Sequence, residues 1–231
     1  MNTYRLVKIE AFPNMEVGTG CTKHYNLTIP GFTEDKQTKL THIATAYHGF
    51  EYYEIEHEMV IKDTGLAFGF VDGQPIKMEL NGYKKNFTIK FYINHEKQYG
   101  FLCENSLVIK DLIRTLKRDT SLGVKLKEVE LNFNELHKYI EQYIGAWFRG
   151  VSSRVTSSAV FGADLENEPL FNQLRNDGAD LSSIIIPYKG MNIQLSKSGG
   201  ISSNQSLNDI KAELALIQKI KEEIIDPVLL Q

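Results

Sequence analysis

Six cations stand close together in this chain. Lys110, Arg114, Lys117, Arg118, Lys125 and Lys127 are faced between residues 105 and 128 by only Asp111, Asp119 and Glu128. The protein as a whole carries a formal net charge of −3, so the positive surplus is local. Lys110, Arg114 and Lys117 recur at i, i+4 and i+7, which on a helix makes one stripe. Such a stripe can follow a phosphate backbone or meet an acidic protein surface. Arg149 and Arg154 lie around the aromatic pair Trp147-Phe148 in YIGAWFRGVSSR. Arginine beside aromatics suits base stacking or the centre of a protein interface, and the two arginines would extend the basic patch. The plainer reading is that basic residues solvate any exposed helix and that Trp147 and Phe148 complete an apolar helix face.

Other constellations are weaker. In EYYEIEHE, period-two spacing puts Glu54, Glu56 and Glu58 on one face of a strand and Tyr53, Ile55, His57 and Met59 on the other. Clustered carboxylates can hold a divalent metal or do acid–base work. With no DxD or HxH companion nearby, a solvated outer face is the expectation, with His57 turned inward. The six histidines are scattered, without HExxH or HxH spacing. The acid-x-lysine of metal-dependent nucleases occurs as Glu34-Asp35-Lys36, in an expected polar loop rather than a strand. KSGGISS, from Lys197 to Ser203, could form an anion nest of backbone amides, or simply a glycine hairpin turn. There is no GxxxxGK[ST], GxGxxG or GxSxG, and no cysteine–histidine pairing. The sequence therefore assigns no catalytic residue, no metal ligand and no cofactor.

The elements that would position these residues fall into two parts. The 231 residues, 42% hydrophobic and 24% charged, suffice for one large or two small soluble domains. Residues 1–104 read as a strand-rich part, an antiparallel sheet or partial barrel. Its strands are expected at Tyr4–Phe12, His24–Ile29, Thr41–Tyr47, Glu51–Ile61, Leu66–Val71, Pro75–Leu80, Asn86–Ile93 and Tyr99–Cys103. Asp72-Gly73 and Asn81-Gly82 suit tight hairpins, and Thr33–Lys39 a loop. Residues 105–231 read as an α+β part. A helix capped by Ser106 is followed by the strand VKLKEVELNF and by a second helix from Asn132 to about Trp147. Then come an extended segment, a short helix at Glu168–Arg175, the hairpin LSSIIIPY/MNIQLSK and a terminal helix over 206–225. The fold class expected is thus α+β: a strand-rich half, a β-α-β-α unit, a hairpin and a C-terminal helix. With no linker between them, the two parts can share a sheet.

Cys21 and Cys103 fit neither a zinc knuckle nor a redox pair, and are expected as free thiols in a reducing compartment. The N-terminus reads as a strand rather than a signal peptide, and no run approaches the ~18 apolar residues of a membrane span. A cytoplasmic protein with no membrane contact is the expectation.

Three functions follow. The first is a non-enzymatic binding subunit of a larger assembly. It would contact nucleic acid or an acidic partner through Lys110, Arg114, Lys117, Arg118, Arg149 and Arg154. The second is a metal-dependent enzyme on nucleic acid or nucleotides, its carboxylates gathered only in space. The third is a structural or inhibitory interaction module, a homo-oligomer or protein partner held by the last helix and apolar tail. Its interface would be Ile217, Ile224, Val228, Leu229 and Leu230.

Overall fold

The computed structural model describes residues 2–26, 35–62, 65–80, 82–205, 207 and 209–230. The fold is α+β, organised on one antiparallel sheet. The strands are β1 (Tyr4–Ala11), β2 (Gly20–Asn26), β3 (Asp35–Tyr47), β4 (Phe50–Ile61), β5 (Gly65–Val71), β6 (Gln74–Leu80), β7 (Tyr83–Ile93), β8 (Tyr99–Cys103), β9 (Lys125–Glu128), β10 (Gly145–Arg149), β11 (Ser157–Phe161), β12 (Asp180–Tyr188), β13 (Met191–Ser196) and β14 (Gly200–Ser203). The helices are α1 (Ser106–Arg118), α2 (Pro169–Asn176) and α3 (Ile210–Ile220). The sheet runs β11-β10-β12-β13-β14-β1-β8-β7-β4-β3-β2, with β9 also on β1. The halves on either side of residue 104 therefore share one sheet.

β1 is where they meet. One edge of β1 pairs with β8, while the other pairs with β14 at Tyr4 and Arg5 and with β9 from Val7 to Ala11. The sheet forks between these two partners, and the Ser198-Gly199 turn sits in the fork, where Leu6 donates its N–H to the Gly199 carbonyl at 2.9 Å. Only glycine fits there. Its φ is +77°, and a Cβ would lie 2.2 Å from Val129 Cγ2.

Strand alternation gives the sheet two apolar faces. Val7, Leu40, Tyr53, Ile55, Ile89, Phe91 and Leu102 are buried beneath Val108, Ile109, Leu112, Ile113 and Leu116 of α1. On the opposite face Tyr4, Leu6, Phe101, Ile184, Ile193 and Ile201 are buried against Phe171 of α2 and Leu214, Ile217 and Ile220 of α3. Helix α1 covers only the N-terminal half of its face, since its core cluster holds no residue of β10 to β14.

Several expectations are corrected. The second helix, Asn132 to Trp147, does not form. Leu136–Lys138 makes a single 3₁₀ turn, and Gly145–Arg149 becomes β10, paired on both sides by β11 and β12. The helical spacing of Leu136, Tyr139, Ile140 and Tyr143 is real. Even so, the Ala-Trp-Phe run favours a pleated surface, and two flanking strands decide the matter. Helix α1 is capped by Asn105, whose side chain accepts from Leu107 N at 2.8 Å, rather than by Ser106. Residues 35–39 belong to β3, not to a loop. The strands flanking Asn81-Gly82 pair elsewhere, β6 with β5 and β7 with β4, and Asn81 lies outside the described residues. So do Leu27, Thr28, Ile29, Thr33, Glu34 and the expected cap Ser206; Asp209 caps α3 instead, accepting from Lys211 N at 3.0 Å.

Candidate functional site

A cleft of about 510 Å³ opens where the first turn of α1 ends over the fork in the sheet. Lys110 enters it from α1 and Arg149 from the end of β10. Its floor is hydroxyl-rich: Ser106 precedes Lys110, Ser182 comes from β12, Gln194 and Ser196 from β13, and Ser202 from β14. These β13 and β14 side chains alternate with the buried Ile193, Leu195 and Ile201, so strand parity alone directs them to the cleft.

Arg5, 5% exposed, closes the base of the cleft. Its Nη1 donates to Ser198 Oγ at 2.9 Å and to Glu128 Oε1 at 3.3 Å, and its Nη2 to Ser106 Oγ at 3.1 Å. Because Asn105 takes the capping role, the Ser106 hydroxyl is available to accept from Arg5. Burial lowers the Arg5 pKa, with Glu128 acting against it. Lys197 donates to Asp180 at 2.8 Å and lies 3.6 Å from Glu130. Those contacts, the Asp180 hydrogen bond first, raise its pKa. The three carboxylates of the lining, Glu128, Glu130 and Asp180, are thus answered by Arg5 and Lys197. Among the described residues, Lys110 and Arg149 are the cleft cations with no carboxylate partner.

The six basic residues singled out from sequence therefore separate. Lys110 and Arg149 converge on the cleft. Arg114, Lys117 and Arg118 are exposed along α1 beyond it, with Lys117 Nζ 3.6 Å from Glu128 Oε2. Arg154 is exposed in the connection between β10 and β11. KSGGISS is a hairpin turn, not a nest. The Gly199 amide donates to the Ser196 carbonyl at 2.9 Å and the Gly200 amide to Ser196 Oγ at 2.8 Å, so neither is open to an anion.

The last helix, expected over 206–225, is α-helical only over Ile210–Ile220, and it is spent on its own sheet together with the turns Lys221–Ile225 and Asp226–Val228 that follow it. Ile217, Ile224 and Val228 are 0%, 2% and 2% exposed, which removes them as an open interface. Leu229 bridges to Leu131, and Leu230 alone of the five is substantially exposed. The carboxylates of β4 are answered individually: Glu54 accepts from Tyr52, Glu56 from Lys39, and Glu58 from the Gln37 amide. Among the described residues no three of His, Cys, Asp and Glu gather as a metal site. Cys21 and Cys103 are unpaired, and no helix of the described residues is long and apolar enough to cross a membrane.

One constellation has no counterpart in the sequence reading. Thr38 Oγ1 lies 2.8 Å from His57 Nδ1, and His57 Nε2 lies 3.1 Å from Asp111 Oδ2. Lys36 Nζ donates to the same carboxylate and to Thr115 Oγ1. The order hydroxyl–imidazole–carboxylate is that of a nucleophilic triad. Thr38 and His57, however, are both 0% exposed, so no substrate reaches them. Here the group ties β3 and β4 to α1. Burial lowers the His57 pKa in spite of the Asp111 hydrogen bond. Burial works upward on Asp111, but the hydrogen bonds from His57 and Lys36 outweigh it and hold the carboxyl at about 2.

No known protein family and no curated protein matches the chain.

Proposed function

We propose that this protein is a non-enzymatic binding module that holds the phosphate backbone of a nucleic acid in the cleft between α1 and the β10–β14 part of the sheet. One observation carries the reading: Lys110 and Arg149, on different elements, line one hydroxyl-rich cleft in which every carboxylate is already answered by Arg5 or Lys197. A groove with unanswered cations and many hydroxyl donors suits phosphate oxygens. Arg114 and Lys117 carry the positive stripe onward along α1, and Arg118 and Arg154 add charge at its margins. Such a module would work as a subunit of a larger assembly, where a partner supplies any chemistry.

The test is binding of labelled single- and double-stranded DNA and RNA at two salt concentrations, with and without Mg²⁺. Salt-sensitive binding is expected, and Lys110→Glu with Arg149→Glu should weaken it at least about tenfold at low salt, as expected for two lost phosphate contacts. Equal binding by the double variant sinks the cleft as the site. Cleavage that requires Mg²⁺ would replace the module by an enzyme.

A further inference from the structure

Strand β10 alternates Ala146 and Phe148 into the core with Gly145, Trp147 and Arg149 on the opposite face, the face that α1 leaves uncovered. On the neighbouring edge strand β11, Val160 is buried while Phe161 shares the outer face and is 61% exposed. Phe161 stands edge-on to Trp147, with ring centroids 5.2 Å apart and planes at 89°. Gly145 makes this seat possible. A Cβ there would lie 3.2 Å from Phe161 Cδ1 and 3.1 Å from Ile185 Cδ1, so both side chains close over the bare backbone. The outcome is a small aromatic shelf on this sheet face, one pleat repeat (about 7 Å) from Arg149 at the rim of the cleft, which has no carboxylate partner among the described residues.

Resting on the phosphate-backbone reading above, we infer that the ligand is single-stranded nucleic acid, with its bases stacked on the Trp147–Phe161 shelf while its phosphates pass Arg149 and Lys110. An exposed Phe161 against a half-buried Trp147 has a use beside cations when the ligand is both anionic and aromatic. Bases in a duplex are stacked on one another and offer no face to an aromatic ring, whereas bases of a single strand do; with the two rings at 89°, each offers a face of its own. Stacking is tolerant of base identity, since every base has a π-face, so the shelf implies weak sequence preference.

Trp147 is the only tryptophan in the chain, which makes it its own reporter. The experiment titrates the protein with oligodeoxythymidylate and with its duplex with oligodeoxyadenylate, following tryptophan emission and the anisotropy of a labelled strand together. The single strand should quench Trp147 on binding, and the duplex should bind more weakly and leave the emission unchanged. Phe161→Ala, at an exposed position where folding is not at stake, should weaken single-strand binding about tenfold with little effect on the duplex. Trp147→Phe, which keeps a ring, should lose less. Binding of the single strand with unquenched Trp147 and an unaffected Phe161→Ala variant overturns the shelf while leaving the cleft reading standing. Binding of neither form overturns both.

Discussion

Lys110 and Asp111 are neighbours on one helix with opposite fates. Asp111 faces the sheet, where Lys36 and His57 hold its carboxylate beneath α1 and Lys36 also reaches Thr115. Lys110 faces the cleft at the margin of the same helix and has no ionic partner among the described residues. The same contrast holds for the two halves of this sheet face. Under α1 Lys36, Thr38, His57, Asp111 and Thr115 form one hydrogen-bonded group that fastens elements together. Beyond α1 the face is hydroxyl-rich, aromatic at its edge and carries unanswered positive charge. A charged residue near a cavity informs about ligands only after its internal partners have been counted, because a group already paired has little interaction left to give.

The half of the face beneath α1 depends most on Asp111. Asp111→Ala leaves the Lys36 ammonium, whose side chain is 9% exposed, with only Thr115 as a partner, and leaves His57 Nε2 without its acceptor. Removing one member of a buried pair costs about 3 kcal/mol, which for a chain of this length lowers Tm by roughly 6–12 °C. Asp111→Asn keeps an acceptor and should recover part of the loss. Thermal unfolding followed by circular dichroism settles it, and an Asp111→Ala protein melting with wild type would mean that the cluster does not fasten α1 to the sheet.

A smaller effect is expected from pH. His57 is held below its ordinary pKa by burial, so the folded state resists protonation more than the unfolded chain does. Its contribution is complete above the unfolded value of about 6.5 and declines as pH falls below it. Asp111, held at about 2, contributes above its unfolded value near 4 and fades only as pH falls toward 2. The urea midpoint should therefore drop in two acid-side stages. His57→Gln should remove the first stage and leave the second. A midpoint that is flat from neutral to mildly acid pH in the wild type would contradict the buried, neutral imidazole.

The strands were the legible part of this molecule. β1, β4 and β8 stand within a residue or so of where alternation puts them, and so do β12 and β13. Alternation is a local signal and needs no knowledge of the partner strand. The stretch from Asn132 to Trp147 was misread because its apolar spacing also fits a helix, and only the docking of β11 and β12 on either side makes Gly145–Arg149 a strand. Lys110 and Arg149 were visible as a local charge surplus and as an arginine beside aromatics. Their meeting in one cleft was not visible, since it depends on β14 pairing with β1 across almost the whole chain. Arg5 did carry a sign: a guanidinium among the buried residues of YRLV must find acceptors. The Thr38–His57–Asp111 contact carried none, because its members come from β3, β4 and α1.

The cleft cations should matter least to folding. Lys110→Gln and Arg149→Gln each delete a charge from an exposed side chain without a carboxylate partner among the described residues, so each should change stability by no more than about 0.5 kcal/mol. Lys36→Gln deletes the same charge from a buried partner of Asp111 and should cost several times as much. Urea unfolding of the three variants side by side measures the difference directly. If Lys110→Gln or Arg149→Gln proved as costly as Lys36→Gln, the cleft cations would be holding the fold together rather than standing free, and the case for a ligand there would fall with them. If both are neutral, their charge has no role in folding, and a binding role becomes the better account of why two cations face one cleft.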